Sequence, residues 1–258
     1  MNKSFLKKKI IILNNYKRKK YCLGICVLNE GSKIKNQIKK IKKHNFQDLD
    51  IIICDGGSDD NSINIKFLKK NKIKELLIKN ANGHLSYQIM LILEHVIQKS
   101  YKGLILMDGN DKDSVKEIPE FIDAMEDGYD YIHGSRYSNG GKEINTPFLR
   151  KYLTKYIHPF IFNFSRYFRF TDTANGYMSM KRNFMIGYKK RLLRKCFNYY
   201  NLQYFLMRLA ILKKSNIKEI GVTRKYKKIH VTNKSHTSGM GYFIVIKDLL
   251  LTRFGYYD

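Results

Sequence analysis

Residues 51–60 read IIICDGGSDD, an apolar run that turns abruptly into a polar loop. The run is short and has no helical spacing, so it predicts a buried β-strand. Two glycines in the loop allow the backbone to approach a ligand closely. The Gly-Lys-Ser/Thr ending of a Walker loop and the Gly-x-Gly-x-x-Gly dinucleotide pattern are both missing. The loop resembles a nucleotide cradle, and a tight turn before a helix is the alternative.

On both sides of this stretch, apolar runs alternate with amphipathic helical patterns. Further strands are predicted at residues 21–28, 75–78 and 103–107, and helices from Ser32, at 65–70 and at 85–98. This alternation predicts an α/β fold, in which a Rossmann-like, mostly parallel sheet is flanked by helices and binds ligands beyond the carboxyl ends of its strands. The later chain predicts a helical, aromatic and basic segment at 147–168, a helix at 201–213, a strand at 217–226 and a last helix at 242–252.

The chain is expected to form one domain at residues 21–258, preceded by a basic extension at 1–20. It has only three prolines and no long Gly/Ser tract, which argues against a linker. The apolar stretch at 10–13 is too short for a signal peptide, and nothing approaches the roughly 18 apolar residues of a spanning helix. The four cysteines form no CxxC pair, which fits a reducing compartment. We therefore expect a cytoplasmic protein.

Oxygen-bearing side chains follow three of the predicted strands. Asn29 and Glu30 come after the first, Asp55 ends the second, and Asp108 follows the strand at 103–107. One such residue alone is most often a helix cap or a turn former. Because parallel strands bring their carboxyl ends to one edge, this recurrence indicates a single site.

The segment MDGNDKD at residues 107–113 places four hard oxygen donors within six residues. Such donors suit Mg²⁺ or Mn²⁺ held jointly by protein and substrate phosphates. The ion would stabilise the charge that develops on a departing diphosphate. A solvated acidic loop that caps a helix from about Ser114 is the alternative.

These motifs, together with GSRY at 134–137 and TDTANGY at 171–177, resemble those of family 2 glycosyltransferases of the GT-A fold. Within that family the chain is similar to the branch of dolichol-phosphate mannose synthase. The resemblance implies an inverting hexosyltransferase, with a nucleotide-sugar-binding part at 21–137 and a helical, basic acceptor side at 138–258. It implies that the nucleoside diphosphate sugar is bound by Asn29, Glu30, Asp55, Gly57, Ser58, Asp60 and Asp108.

The family's metal-binding Asp-x-Asp falls on Asp108 to Asn110, so an amide replaces the second carboxylate. Asp111 follows directly and could supply the missing charge, and the implied metal ligands are therefore Asp108, Asn110 and Asp111. The resemblance also places Arg136, Arg150 and Lys234 near phosphates of the donor or the acceptor. An ordinary surface cation is the alternative for each of those three.

The acceptor is expected to be a polyprenyl phosphate or another lipid-linked molecule. A phosphate is already an anionic nucleophile at neutral pH, whereas a hydroxyl needs a general base. The chain lacks the family's Glu-Asp base motif and contains no Trp, which favours the phosphate. If a base is used, Asp172 is the first candidate and Asp111 the second. Transfer to a sugar hydroxyl in surface polysaccharide biosynthesis is the alternative.

The formal charge of +27 raises the possibility of a basic nucleic-acid-binding protein without enzyme activity. No recognition helix or RNA-stacking motif is apparent, so we expect no nucleic-acid partner. Aromatic and basic residues interleave at 152–170 and suit a peripheral position on the inner face of a membrane, with a buried helix as the alternative.

Overall fold

An eight-stranded sheet forms the centre of the computed structural model, which describes residues 6–81, 83–227 and 239–258. The strands are β1 (Lys8–Ile12), β2 (Tyr21–Val27), β3 (Leu49–Asp55), β4 (Glu75–Lys79), β5 (Gly103–Asp108), β6 (Tyr131–Ser135), β7 (Lys142–Ile144), β8 (Met178–Lys181), β9 (Ile217–Gly221) and β10 (Thr223–Lys225). Their order in the large sheet is β1-β4-β3-β2-β5-β8-β6-β9, and β7 pairs with β10 in a separate two-stranded sheet.

The centre of the large sheet is parallel. β2 pairs in parallel with β3 and β5, and β3 pairs in parallel with β4. These strands are apolar and buried on both faces, as parallel strands covered by helices must be. Cys22 and Ile52 face one hydrophobic core, while Leu23 and Ile53 face the other. The predicted α/β fold with a mostly parallel sheet is confirmed.

The helices cover both faces of the sheet. They are α1 (Ser32–His44), α2 (Ile65–Lys70), α3 (Leu85–Gln98), α4 (Ile118–Glu126), α5 (Phe148–Tyr152), α6 (His158–Phe162), α7 (Arg182–Gly187), α8 (Lys189–Leu192), α9 (Asn201–Leu212) and α10 (Gly239–Arg253), with a π-helical turn at Leu153–Ile157 between α5 and α6. α1 buries Ile34, Ile38 and Ile41 and turns its lysines to solvent. Within the described ranges, no helix is long and apolar enough to cross a bilayer.

The expectation that regular structure starts at Tyr21 is wrong. β1 lies within the predicted basic extension and pairs antiparallel with β4, from Lys8 opposite Lys79 to Ile12 opposite Glu75. Leu13 is buried after it, and Lys8 forms an ion pair of 2.9 Å with Glu94 on α3. The lysines on this strand hid its pattern, because an edge strand exposes half of its side chains.

Three further differences lie after β5. β8 is antiparallel and is inserted between β5 and β6, so the parallel order is interrupted there. The single strand predicted at 217–226 breaks at Val222, and its two halves belong to different sheets. The helix expected from about Ser114 begins at Ile118. The first two deviations break the regular parallel order at the β8–β6–β9 end of the sheet.

Candidate active site

A cavity of about 830 Å³ opens at the carboxyl ends of the central strands. In the sheet register, Asp55 lies opposite Val27 and Asp108 lies opposite Cys26. Both acids therefore lie at one edge of the sheet, on the two strands that flank β2. Of the residues singled out in the sequence, those that line this cavity are Asn29, Glu30, Asp108, Asn110, Arg136 and Arg150.

The loop that follows β3 is fastened to the loop that follows β2. The Ser58 backbone N–H and hydroxyl both donate to the buried Asp55 carboxylate, the hydroxyl at 2.6 Å. Ser58 Oγ in turn accepts from the Asn29 backbone N–H at 3.0 Å, and Asn29 Oδ1 accepts from the Asp59 N–H at 3.0 Å. Asp55 therefore supports the two loops at the rim of the cavity and is not among the residues that line the cavity.

The other predicted members of this loop also lie outside the cavity lining. Asp60 accepts from Ser62, whose hydroxyl accepts from the backbone N–H groups of Glu30 and Gly31, each at 2.7 Å. Gly57 has φ of 96°, a backbone conformation that favours glycine. A side chain at this position would meet no neighbouring atom, so the conformation and not the space selects glycine. The loop thus fixes the position of Glu30, which does line the cavity.

Asp108 is the carboxylate that the strand-end motif presents to the cavity. Asn110 Nδ2 donates to its Oδ2 at 3.2 Å, and Arg224 Nη2 lies 3.3 Å from the same oxygen. Arg224 also donates to Asp113, which is buried behind it. Burial raises the pKa of Asp113, although Arg224 opposes this shift. Arg224 thus links β10 to the loop after β5.

Asp111 is turned away from this cavity. Its Oδ1 accepts from Lys40 Nζ on α1 at 2.8 Å, and its backbone N–H donates to Gln37 at 3.2 Å. It is absent from the residues that line the cavity. This placement argues against both predicted roles of Asp111, as a metal ligand and as a general base. To supply the second carboxylate of the motif, which Asn110 does not have, Asp111 would have to break its ion pair with Lys40.

Among the described residues, no group of three or more His, Cys, Asp or Glu side chains is arranged to hold a metal ion. The oxygen donor that this motif presents to the cavity is the carboxylate of Asp108. The Asn110 amide turns its nitrogen to Asp108, and its oxygen accepts from the Lys112 N–H at 3.2 Å. Mg²⁺ commonly uses one or two carboxylates and takes its other ligands from substrate phosphates and water. The Asp108 carboxylate therefore fits an ion that arrives with a diphosphate.

A cluster of cations lines the cavity beside Asp108. Lys112 Nζ lies 4.9 Å, Arg150 Cζ 5.7 Å and Arg224 Cζ 6.0 Å from the centre of the Tyr226 ring. Burial lowers the pKa of Lys112, and Arg224 lowers it further. Burial raises the pKa of Tyr226, but the surrounding cations, Arg224 first, outweigh it and the pKa falls. Such a concentration of positive charge suits a bound oxyanion.

Asp172, the first candidate base, is a buried structural partner of Arg136. It has 0% exposure, and its two oxygens accept from Arg136 Nε at 2.6 Å and Nη2 at 2.7 Å. Burial raises the pKa of Asp172, but Arg136 outweighs it and holds the pKa below its usual range. A carboxylate that is enclosed, paired and weakly basic is poorly suited to take a proton from a substrate. The geometry therefore argues against the predicted catalytic role of Asp172.

Lys234, predicted to contact phosphate, lies outside the described residues. The sequence reasoning missed several residues that line the cavity: Lys33, Lys112, His158, Gln203, Arg224 and Tyr226. Arg224 begins the basic run RKYKK at 224–228, and Lys112 stands between two aspartates, so no spacing distinguished either of them from ordinary surface cations. The bridge between Asp113 and Arg224 joins positions 111 residues apart, and no local pattern indicates it.

The parallel strand ends, the cavity and the paired acid and cations define an α/β protein whose sheet edge is suited to a phosphorylated ligand. Residues 22–197 match the family described as glycosyl transferase family 2, and the chain therefore belongs to that family. It is a nucleotide-sugar glycosyltransferase. A search among curated proteins found no match.

Solved structures show the same GT-A fold. Glucosyl-3-phosphoglycerate synthase from Mycobacterium tuberculosis, in complex with Mn²⁺, UDP and glucosyl-3-phosphoglycerate, aligns with a TM-score of 0.66 at 12% identity, covering 92% of this chain and 80% of that one. Its complex with Mn²⁺, UDP-glucose and phosphoglyceric acid aligns at 0.65, with the same identity and coverage. A complex with Mg²⁺ and UDP aligns at 0.58, again at 12% identity and with the same coverage. At this identity the likeness concerns the fold.

Proposed function

We propose that this glycosyltransferase transfers a sugar, with inversion, from a nucleoside diphosphate sugar to the phosphate of a polyprenyl-type lipid. The observation that carries the proposal is the cluster of Lys112, Arg150 and Arg224 around Tyr226, which lines the cavity next to Asp108. Arg binds phosphate through its planar fork, and Lys binds it as a point charge. Arg224 is already paired with Asp108 and Asp113, so a phosphorylated acceptor would balance the charge of Lys112 and Arg150.

The side chains around the cavity also favour an acceptor that needs no deprotonation. Of the described residues that line the cavity, the carboxylates are Glu30 and Asp108, which lie near Lys33 at 3.3 Å and Arg224 at 3.3 Å respectively. Burial lowers the pKa of His158 to about 4, so its imidazole is neutral at pH 7 and is a weak base. A phosphate oxygen would attack the anomeric carbon as the bond to the diphosphate breaks, and no proton has to leave the nucleophile.

We propose that Asp108, with the Asn110 amide beside it, holds Mg²⁺ or Mn²⁺ together with the donor diphosphate. When bound, such an ion neutralises charge on the leaving diphosphate. The relatives crystallised with UDP and Mn²⁺ or Mg²⁺ support this assignment by analogy. Arg224 would orient Asp108, and the loops carrying Asn29 and Glu30 would hold the nucleoside side of the donor. Lys112 and Arg150 would hold the acceptor phosphate.

The test compares a polyprenyl phosphate with the matching polyprenol as acceptors, using a panel of nucleotide sugars. We expect transfer to the phosphate only. Lys112→Gln should raise the KM for the acceptor by about tenfold or more, because a charge-assisted hydrogen bond contributes about 1.5–3 kcal/mol. Lys116→Gln removes an exposed lysine four residues away and should leave that KM unchanged. Turnover of the polyprenol at a similar rate, or of no lipid phosphate at all, would overturn the proposal.

Transfer to a sugar hydroxyl during surface polysaccharide assembly is the second candidate. The relatives above were crystallised with phosphoglyceric acid or its glucosyl product, an acceptor that carries both a phosphate and a hydroxyl. A hydroxyl nucleophile would require a base, so a pH profile of kcat with an ionisation near that of a carboxylate or imidazole would favour this candidate. An ionisation that belongs to the acceptor phosphate itself, near pH 6, with a level rate above about pH 7, would favour the phosphate.

A further inference from the structure

The segment from α5 to α6 exposes a stripe of aromatic residues. Phe148, Tyr152, Tyr156 and Phe160 follow one another at intervals of four, which places them near one face of a continuous helical run. Phe148 is 84% exposed and Phe160 is 81% exposed. Single exposed aromatic residues are common, but several of them in one row are not. The stripe therefore indicates an interaction surface.

α10 carries a second exposed stripe beside the first. Phe243, Ile246, Leu250 and Phe254 recur at helical spacing and all are exposed, Phe254 at 79%. α10 packs against α6, and Arg253 Nη1 donates to the Ile161 carbonyl at 2.6 Å. The two stripes therefore belong to neighbouring, hydrogen-bonded elements.

The same helices form part of the cavity wall. Arg150, Leu153 and His158 line the cavity from the first segment, and Tyr242 and Val245 line it from α10. Each element thus contributes to the cavity on one side and carries exposed apolar residues on another. The apolar surface and the cavity consequently share one region of the molecule.

Cations accompany the apolar stripes. Lys155 is exposed on the first segment, with its Nζ 5.5 Å from the centre of the Tyr156 ring, and Lys247 is exposed on α10 next to Ile246. Aromatic side chains flanked by lysines suit the boundary between headgroups and acyl chains, and lysines are attracted to anionic lipids. A protein partner would need to be both apolar and acidic, whereas an anionic bilayer supplies both properties at once.

We propose that the two stripes dock together onto an anionic bilayer surface, with the cavity opening beside the plane of the headgroups. The biological reason for docking rests on the proposed function. If the acceptor is a lipid phosphate, docking would place that phosphate at the level of the cation cluster. The binding itself requires no acceptor. Docking to a bilayer explains why these aromatic residues are exposed. An enzyme with a water-soluble acceptor would not need them.

The test measures sedimentation of the full chain with vesicles that contain no polyprenyl phosphate. One set is pure phosphatidylcholine, and in the other a third of the lipid is phosphatidylglycerol. We expect binding to the anionic set, and the variant Phe160→Ser with Phe254→Ser should lower the partition coefficient at least tenfold. Lys155→Glu with Lys247→Glu should weaken binding to anionic vesicles only. Circular dichroism and the thermal midpoint should show that these variants are folded.

Matched controls lie at the far edge of the sheet. Ile12→Ser removes a side chain that is 59% exposed on β1, and Lys9→Glu reverses an exposed charge on the same strand. Neither should change binding. No binding to anionic vesicles, equal losses in the controls, or a dimer that the Phe160→Ser, Phe254→Ser variant abolishes without any vesicle binding would overturn the inference.

A second measurement separates this inference from the proposed function. Transfer to a short-chain, water-dispersed polyprenyl phosphate is assayed without vesicles. If transfer proceeds but the vesicles do not bind, the docking inference falls and the acceptor proposal stands. If the vesicles bind but no lipid phosphate is glycosylated, the acceptor proposal falls and the docking surface stands.

Discussion

Asp172 lies in a recognisable motif, but its buried pairing with Arg136 argues for a structural role and against the predicted catalytic one. The carboxylate and Arg136 bury each other, at 0% and 3% exposure. Removing one member of a buried ion pair leaves the other charge unpaired and costs about 3–5 kcal/mol. We therefore expect Asp172→Asn to lower the free energy of unfolding by about that amount, as measured by urea denaturation.

The control for this prediction is Asp127→Asn, because Asp127 is exposed and lies 4.0 Å from Lys218. That variant should change the free energy of unfolding by less than about 1 kcal/mol. A normal free energy of unfolding in Asp172→Asn, together with a loss of several orders of magnitude in kcat and unchanged donor binding, would instead restore Asp172 as a general base.

Substitution of Asp108 should lower the activity of the enzyme much more than its stability. Its side chain is partly exposed and reaches the cavity. Asp108→Asn removes the charge that would hold a divalent ion, and we expect kcat to fall by about a hundredfold or more. Initial rates measured against Mn²⁺ and Mg²⁺ concentration check this. Asp123→Asn, on the exposed side of α4, should behave as the unaltered chain does; equal rates in the two variants would contradict the assignment.

Residues of the cavity could be predicted from the sequence where they directly follow a strand. Asn29, Glu30 and Asp108 were found because parallel topology brings strand ends together. Arg136 and Arg150 were found through the family resemblance alone. Arg224 and Tyr226 could not be found, because they reach the cavity only through the pairing of two three-residue strands, β7 and β10. Which charges are paired was equally hidden, since Asp172 and Arg136 are separated by 36 residues.

Among the elements, β1 was the largest omission, and it has a measurable role. It completes the sheet beside β4, and Leu13 is buried behind it. Deleting residues 1–13 would expose the edge of β4 and remove a side chain whose burial contributes about 1.5–3 kcal/mol. We expect the deletion to lower the free energy of unfolding and to speed amide exchange in β4, as measured by denaturation and hydrogen exchange.

A useful comparison for that deletion is a chain shortened by residues 1–5, which leaves β1 and Leu13 in place. That chain should keep the amide protection of β4 that the longer deletion loses. If both deletions leave the amide protection of β4 unchanged, the strand contributes nothing to the sheet in solution.

The contact between β9 and the loop before β8 should depend on pH. Glu219 accepts hydrogen bonds from the Thr171 N–H and hydroxyl, each at 2.9 Å, and burial raises its pKa to about 7. An acid whose pKa is raised by folding stabilises the folded state fully below its unfolded pKa. This contribution is lost as the pH rises through about 7, and the total change is about 3 kcal/mol.

The corresponding variant is Glu219→Gln, which keeps an acceptor oxygen and removes the titration. Between about pH 5 and 8 the unaltered chain should lose stability relative to this variant, and the difference should level off above pH 8. Parallel stability curves for the two proteins over this range, measured by urea unfolding, would show that Glu219 does not titrate with a raised pKa.

Considered as a whole molecule, the chain combines a confined ligand site with a formal charge of +27. A nucleoside diphosphate with Mg²⁺, at about a hundred times its Kd, should stabilise the folded state by about 2.7 kcal/mol and raise the Tm by roughly 5–10 °C. This shift should persist near 0.15 M salt. The matching nucleoside should give little shift, and thermal-shift measurements would also identify the preferred base.

Nucleic acid provides the contrasting case for that measurement. Non-specific binding to a basic surface falls steeply between about 0.05 and 0.2 M salt, because it depends on release of counterions. Any stabilisation by single-stranded DNA should therefore vanish over this range while that by the nucleoside diphosphate remains. Equal salt dependence of the two shifts would mean that both ligands bind through the surface charge.

The bridge from Arg224 to Asp108 and Asp113 has a consequence for the order of synthesis. Both acids leave the ribosome about a hundred residues before their counter-charge does. Until β10 has emerged, the nascent chain carries an acidic loop with no guanidinium to close it. The cavity can therefore reach its finished geometry only after Arg224 has been translated, so a ligand that needs this bridge cannot assist folding of the acidic loop before that point.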